Sequence, residues 1–600
     1  MFLSKRFAFL FLFFIYALAL LVSCSERGGG NTGNGSVSPP DLEGITPGAV
    51  KFSEITYTRP DTVSLYSELS SAILLVRNGG PDSSRIIEAV KSAERAYSSY
   101  LTMYSYSRIM CSKDENDAFY SNEYSFLSKA YADVFSAKER LAYEIVRSEH
   151  KNELAKIGFS DSAIFKIPDP SIISDDYFSL ITQEGKLKHS FTMLSENNVY
   201  ITYDGVTDTY SGTLDRLRET HGDGTQRFLQ SSAECAELYS QALLNRKLDI
   251  YIALISTRGL IADTLGYDSY NDYAHDFLGY THTVDYYQKY VEDVFEYLLP
   301  VYKDLSIKIF NPYFNNNIPK FLDKNTLITN MLSLYKSIDN GLYESFASMV
   351  SSELYDIVPG AATINRFSYT TYFNSKRTPF LFIASFNDAR DYLNVSFGFG
   401  KYLDVLLNES LSASPLDADL TARLLGVVTL SSITDSLDTD ESKYIYYFSM
   451  KSIMSGIIQD TFLSLLEHEI YETDPAELSR DSITAMMRKI ANQCSVHNPK
   501  IVDVVSDDLV LNPKTLQSKA VSTFYAAEAF FDKGDLSSKL QIYKSILERT
   551  TDKTSESVLS SFGISSPFDD EAVMELSDKI FYSINGYHYY RNDPAEIPVA

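Results

Sequence analysis

The sequence predicts a mostly α-helical protein with a small sheet element. Three observations carry this. Long stretches repeat apolar residues at three- and four-residue steps, strand-like alternation is confined to two short segments, and one of the longest helical runs stops at a glycine.

The helical runs follow one another along the chain. "SLYSELSSAILLVRN", "DSSRIIEAVKSAERAYSSYLTMYSYSRIM" and "FLSKAYADVFSAKERLAYEIVRSEH" come first. "AECAELYSQALLNRKLDIYIALISTRGLIADTLG" follows and ends on Gly266, a residue that readily closes a helix. "VDYYQKYVEDVFEYLLPVYKDLSIKIF" and "KTLQSKAVSTFYAAEAFFD" continue the same period. Only "NNVYITYDG" and "RTPFLFIASFN" read as strands. No internal repeat is visible.

The N-terminus reads as an export signal. Lys5 and Arg6 precede an apolar run from Phe7 to Val22, too short for a comfortable membrane span of ~20 residues. The run ends in Leu21-Val22-Ser23-Cys24, which resembles the bacterial lipobox, where the Cys becomes the lipidated first residue of the mature chain. An ordinary secretory signal with a chance Cys is the alternative. Acyl chains on Cys24 would insert at ~0.8 kcal/mol per buried CH2. The segment after it, "SERGGGNTGNGSVSPPD", has no apolar period and reads as a flexible tether. The expected organisation is a lipoprotein signal peptide over 1–23 and a lipidated Cys with its tether over 24–48. A helical region over 49–200 and a second helical domain over 201–600 follow. A bacterial cell-envelope location and a membrane partner follow from the same reading.

Charge and cysteine content exclude some functions. With 79 acidic against 53 basic residues the formal net charge is −26, the wrong sign for a nucleic-acid partner. Beyond Cys24, Cys111, Cys235 and Cys494 are widely spaced and form no metal-knuckle pattern. The 44 Tyr and 36 Phe, beside no Trp, imply an aromatic interior. No Ser-His-Asp grouping, G-x-S-x-G elbow or phosphate-binding glycine loop occurs.

Two histidine patterns invite a metal reading. In "LSLLEHEIYETD", His468 and Glu472 stand one helical turn apart and present a possible two-ligand face. The stretch is one residue from H-E-x-x-H, but it supplies no third ligand. His275 and His282 in "HDFLGYTH" are seven residues apart, with a loop expected between them.

The order of motifs gives the chain a family likeness. "YTRPD" (57–61), "LGYDSYNDYA" (265–274), "TPFLFIASFN" (378–387), "FLSLLEHEIYE" (462–472) and "FGISSPFDDEAVMELSDKI" (562–580) occur in that sequence. This series resembles the oligoendopeptidase F branch of the thimet-type zinc metallopeptidases, over roughly residues 50 to 580. The resemblance implies a two-lobed helical fold around a deep peptide-binding channel, with a zinc helix on its floor. It also implies an H-E-x-G-H motif just after the strand "TPFLFIASFN", and no zinc ligand at the position of His468.

The implied motif falls on "YLNVSFGFGKYLDVLL" and is degenerate there. Phe397 stands for the first His, Gly398 for the Glu and Lys401 for the second His, while Gly400 alone is kept. Phe offers no lone pair, an ammonium repels a dication, and Gly398 lacks the carboxylate that would take a proton from bound water. The third ligand implied, a Glu some way downstream, has no counterpart, because no Glu lies between Glu409 and Glu441. The His and Tyr donors implied near the C-terminus have no match in "LVLNPKTLQSKAVSTFYAAEAFF" except Tyr525, out of register. The expectation is a pseudopeptidase with no cofactor, binding peptides or a protein partner in a groove lined by aromatic and acidic side chains. A helical lipoprotein with a closed channel, and an active zinc peptidase with a displaced site, are the alternatives. Zinc would be the cofactor only in the last of these.

Overall fold

The computed structural model describes residues 50–592, apart from 80–82, 115–116, 158–166, 168, 195–197, 281, 283, 318, 361–367, 409–414, 437–439, 497–499, 501–503 and 550–552. The signal segment, Cys24 and the tether lie outside the described residues. Among the described residues no helix is long and apolar enough to cross a membrane.

The chain enters through the "YTRPD" motif. Arg59 pairs with the buried carboxylate of Glu123, and Tyr57 donates its hydroxyl to the same group at 2.6 Å. The Arg59 hydrogen bond holds the Glu123 carboxyl below the usual range. Asp61 then caps the first helix, accepting from the amides of Val63 and Ser64. Helices α1 (Thr62–Asn78), α2 (Ser83–Lys113), α3 (Ala118–Arg147) and α4 (Asp175–Thr192) follow. The first three bury one apolar stripe each in a common core that includes Leu69, Val90, Tyr97 and Leu141.

A hairpin of β1 (Tyr200–Tyr203) and β2 (Val206–Thr209) comes next, turning on Asp204 and Gly205, both with positive φ. Asp-Gly is favoured there because both turn residues adopt left-handed backbone. It leads into α5 (Tyr210–His221), α6 (Gln226–Thr264) and α7 (Tyr270–Leu278). Gly266, at φ +78°, closes α6 as the sequence leads one to expect. From α8 (Val284–Asp293) the helix runs on through two π turns, Val294–Leu298 and Ser306–Phe310. Each is followed two residues later by a proline, Pro300 and Pro312, whose missing N–H breaks the ordinary ladder.

The second half is built on α9 (Lys324–Ile338), α10 (Asn340–Ser351), β3 (Tyr355–Val358), β4 (Tyr369–Phe373) and β5 (Thr378–Ala384). The strands form a second sheet, with β5 in the centre, parallel to β3 and antiparallel to β4. The fold thus holds two small sheets where the sequence suggests one sheet element. The strand β5 is buried on both faces. Phe380, Phe382 and Ala384 pack on the N-terminal helices, whereas Leu381 and Ile383 point the other way.

Helices α11 (Asp391–Asn408), α12 (Pro415–Ser436) and α13 (Asp440–Glu472) cover that other face and the centre of the molecule. They are followed by α14 (Arg480–Gln493), the short α15 (Asp507–Leu511), α16 (Leu516–Asp532), α17 (Leu536–Leu547), α18 (Ser555–Ser561) and α19 (Ala572–Asn592). Helix α12 packs along both α11 and α16, and α13 packs along α16. These four helices surround the candidate site.

Candidate functional site

Helix α11 is fixed to the end of β5 by the buried side chain of Asp391. Its carboxylate accepts from the amides of Phe386 at 2.9 Å and Asn387 at 2.8 Å, and from the Ser385 hydroxyl at 2.6 Å. The turn between strand and helix is therefore rigid, and it sets the rotation of the helix that follows.

That rotation distributes the four motif positions over two neighbours, helix α12 and the sheet. Phe397 points at α12, where its half-buried ring fills the space beside Gly426 and joins a core with Tyr290, Met454 and Phe524. Gly398 faces the sheet. A β-carbon there would stand 2.6 Å from Leu381 Cδ1 and 2.9 Å from Ile383 Cδ1. Gly400 faces the backbone of α12, where a β-carbon would meet Ala422 Cα at 2.8 Å. The absence of side chains at 398 and 400 lets α11 sit this close to strand and helix. Lys401, one turn beyond Phe397, places its Nζ 2.9 Å from Asp419 Oδ1 of α12.

The residues here do not fit the zinc that the family likeness implies. The ring of Phe397 is packed as core, position 398 has no room for a carboxylate side chain without displacing Leu381 and Ile383, and the ammonium of Lys401 is ion-paired. Gly426, the notch for the ring, offers no ligand. Among the described residues no group of three His, Cys, Asp or Glu side chains is placed to hold a metal ion.

The other histidines fall elsewhere. His468 and Glu472 share a face of α13, but Asn271 of α7 donates its side-chain amide to the Glu472 carboxylate and to the His468 carbonyl, the latter at 3.2 Å. Burial, and after it the charge of Lys514, lowers the His468 pKa. His275 and His282 come closer than the intervening loop suggests. His275 Nε2 lies 2.7 Å from the His282 carbonyl, and the ring centroids are 6.0 Å apart. The His282 ring stacks on Phe568 at 4.4 Å and its Nε2 faces the Gln517 amide, and burial lowers its pKa to about 4. The segment "FGISSPFDD" is thereby joined to α16.

Sequence reasoning missed a buried polar strip between α12, α13, α15 and α16. On α13, Asp460, Ser464, Glu467 and Tyr471 recur at steps of four, three and four, one face of the helix. Ser464 pairs with the Tyr287 hydroxyl, and Tyr471 accepts from the fully buried Arg258, whose other nitrogens reach Glu184 and the Val510 carbonyl. Facing this row, Lys519 Nζ lies 2.7 Å from Asp508 Oδ2, and Arg423 Nε donates to Ser522 at 3.1 Å. Glu467 Oε1 accepts from the Lys514 amide at 2.8 Å. Burial pushes both Asp460 and Glu467 up to about 7, against the pull of nearby Lys and Arg. The signal that could have revealed the strip is the 4-3-4 spacing of these four polar residues along one face of a 33-residue helix.

Comparison with known proteins places this geometry. Residues 52–160 match the family described as the Peptidase M3 N-terminal domain. No curated protein matches the chain by sequence. Among solved structures, an X-ray structure of a putative oligoendopeptidase F is 18% identical, with a TM-score of 0.68 over 90% of this chain and 99% of its own. The Pz peptidase A crystallised with an inhibitor is 18% identical, with a TM-score of 0.69 over 89% of this chain and 99% of its own. A putative oligoendopeptidase F from Bacillus anthracis str. Ames is also 18% identical, with a TM-score of 0.66 over 91% and 99%. At this identity the structural likenesses establish the fold.

Proposed function

We propose that this chain, an oligoendopeptidase F-type protein by its fold and its M3 N-terminal domain, is a member that has given up zinc hydrolysis and binds peptides or a protein partner without cleaving them. The bacterial cell envelope is its proposed location, with Cys24 as the lipidated anchor. The observation that supports the reading is the contact between Phe397 and Gly426, which puts an aromatic ring packed on α12 at the position the family likeness gives to the first metal ligand.

The chemistry agrees with this at each motif position. Water activation needs a metal held by three ligands or a general base beside the scissile bond. Neither Phe397 nor Gly398 can take either part. Lys401 is held by Asp419, so its charge is directed at α12 rather than at a substrate. What remains is a helical frame with aromatic and charged groups in its interior, which can hold a chain without attacking it. The Gly-, Ser- and Asn-rich sequence after Cys24 supports display at a membrane, because that composition suits a linker between an anchor and a folded part.

Turnover of a mixed set of quenched fluorescent peptides by the full chain in detergent tests the proposal. The expected result is no chelator-sensitive cleavage, with peptides retained intact in equilibrium dialysis. Chelator-sensitive cleavage would overturn it.

A further inference from the structure

Single exposed apolar side chains are ordinary on a protein surface, but several that share one surface call for a partner. Val63 is 77% exposed, Phe119 56% and Phe126 39%. The helices that carry them, α1 and α3, run side by side in the same direction, because Arg59 meets Glu123, Tyr66 meets Ala130 and Arg77 meets Glu144. Val63 lies three residues before Tyr66 and Phe126 four before Ala130, so the two stand at the same level on adjoining helices. Phe119 shares the face of α3 with Phe126, two turns away. Arg59, over the Phe126 ring at 4.8 Å, and Tyr57, edge-on to Phe119 at 6.0 Å, fill the space between.

The patch adjoins the point where the chain enters the fold. Phe52 stacks on Tyr106 at 5.3 Å, Tyr106 stacks on Tyr57 at 6.0 Å, and Tyr57 meets Phe119, an unbroken run of rings from entry to patch. Ahead of Phe52 the sequence leads back to Cys24 through residues rich in Gly, Ser and Asn. A linker of that composition over 24–49 has a typical end-to-end distance of about 25–30 Å. The radius of gyration expected for a fold of this length is about 24 Å. A linker no longer than that keeps the surface around the entry closest to whatever holds Cys24.

We propose that Val63, Phe119 and Phe126 seat on the headgroup–acyl boundary of the membrane that carries the anchor, and so fix which side of the fold faces it. This rests on the reading of Cys24 as lipidated, and it adds the surface that docks. Apolar and aromatic side chains suit that boundary, where one end of a group is dry and the other wet. The attraction has to be apolar, because a chain with a formal net charge of −26 gains nothing from anionic headgroups. Three side chains hold weakly by themselves, so the chain without its lipid leaves the membrane. With the lipid in place they act at the high local concentration that a short linker imposes.

The sequence contains no Trp, so a single introduced Trp reports its own surroundings. The full-length F119W chain, grown with labelled fatty acid, is reconstituted into phosphatidylcholine vesicles with and without brominated acyl chains. I307W serves beside it, since Ile307 is 73% exposed on the second π turn. The Trp of F119W should emit further to the blue than in the Cys24→Ser form in lipid-free buffer, and lose about half its intensity to bromine, as a side chain at the boundary does. The Trp of I307W should lose little. Adding V63S and F126S to F119W, both at exposed positions and checked for native circular dichroism, should remove most of the quenching. Quenching of F119W no greater than that of I307W in a labelled chain, or unchanged by V63S and F126S, would overturn the patch and leave the anchor standing. A chain without label would overturn the anchor and the proposal together. A blue shift in lipid-free buffer that grows with protein concentration would assign the patch to a second copy and overturn the membrane contact.

Discussion

The ring of Phe397 occupies the space in which a β-carbon on Gly426 would stand, so α11 and α12 meet at the candidate site as knob and notch. Each residue makes sense only with the other. An alanine in a helix interior is ordinarily worth up to ~1 kcal/mol over glycine. Here Gly426→Ala should instead destabilise by about 1–3 kcal/mol, because the new methyl would overlap the Phe397 ring and force it to shift. In a Phe397→Ala background the same change should be neutral or stabilising. Urea denaturation of the four proteins in this cycle measures the coupling, and equal effects in both backgrounds would refute the contact.

Restoring the motif should damage the fold before it creates a metal site. Gly398→Glu has to push Leu381 and Ile383 out of the way, and Lys401→His leaves Asp419 without its ion-pair partner. Breaking a buried pair on one side costs up to about 3–5 kcal/mol. The triple variant Phe397→His, Gly398→Glu, Lys401→His should therefore show a clearly lower thermal midpoint and bind zinc weakly and below one per chain. A stable triple variant with tight stoichiometric zinc would show that α11 and α12 adapt far more easily than their packing implies.

Glu467 ties stability to pH. Burial raises its folded pKa from the ordinary 4.5 to about 7. Between those values the folded state holds a proton that the unfolded state has lost. The contribution is thus full below pH 4.5 and disappears as pH rises through about 7. Asp460 and Glu528 are raised to about 7 by burial and act with the same sign. Stability should fall from pH 5 to pH 8 on their account, and Glu467→Gln should flatten part of that fall. Denaturant midpoints across the range check this; an identical slope in the variant would mean that Glu467 does not carry the proton.

Much of the frame was legible because helical periodicity is a local property. The run ending at Gly266 and the strand around Phe380 are both where the residues put them. The motif substitutions at Phe397, Gly398 and Lys401 could be seen on a line of sequence. Their partners could not. Gly426 is an unremarkable glycine until the ring of Phe397 is seen beside it, and Asp419 is one Asp among several until Lys401 reaches it. His275 and His282 were hidden by the turn that follows α7, which folds one back on the other. The row Asp460, Ser464, Glu467, Tyr471 had a readable spacing, but what makes it matter is burial, a tertiary fact.

The anchor has its own test. Cys24→Ser should abolish incorporation of labelled fatty acid and move the chain from the membrane fraction to the soluble one. The folded part should keep its circular dichroism spectrum, because the tether separates it from the lipid. Persistence of the Cys24→Ser protein on membranes in high salt would contradict the lipobox reading.

The zinc content of the full chain, purified in detergent from cells grown with added zinc and measured by mass spectrometry beside protein concentration, tests the central claim most directly. With Phe397 packed into Gly426 and Lys401 held by Asp419, zinc well below one atom per chain is expected, and Phe397→Ala should not raise it. One zinc per chain, removed by a chelator together with peptide cleavage, would contradict the account.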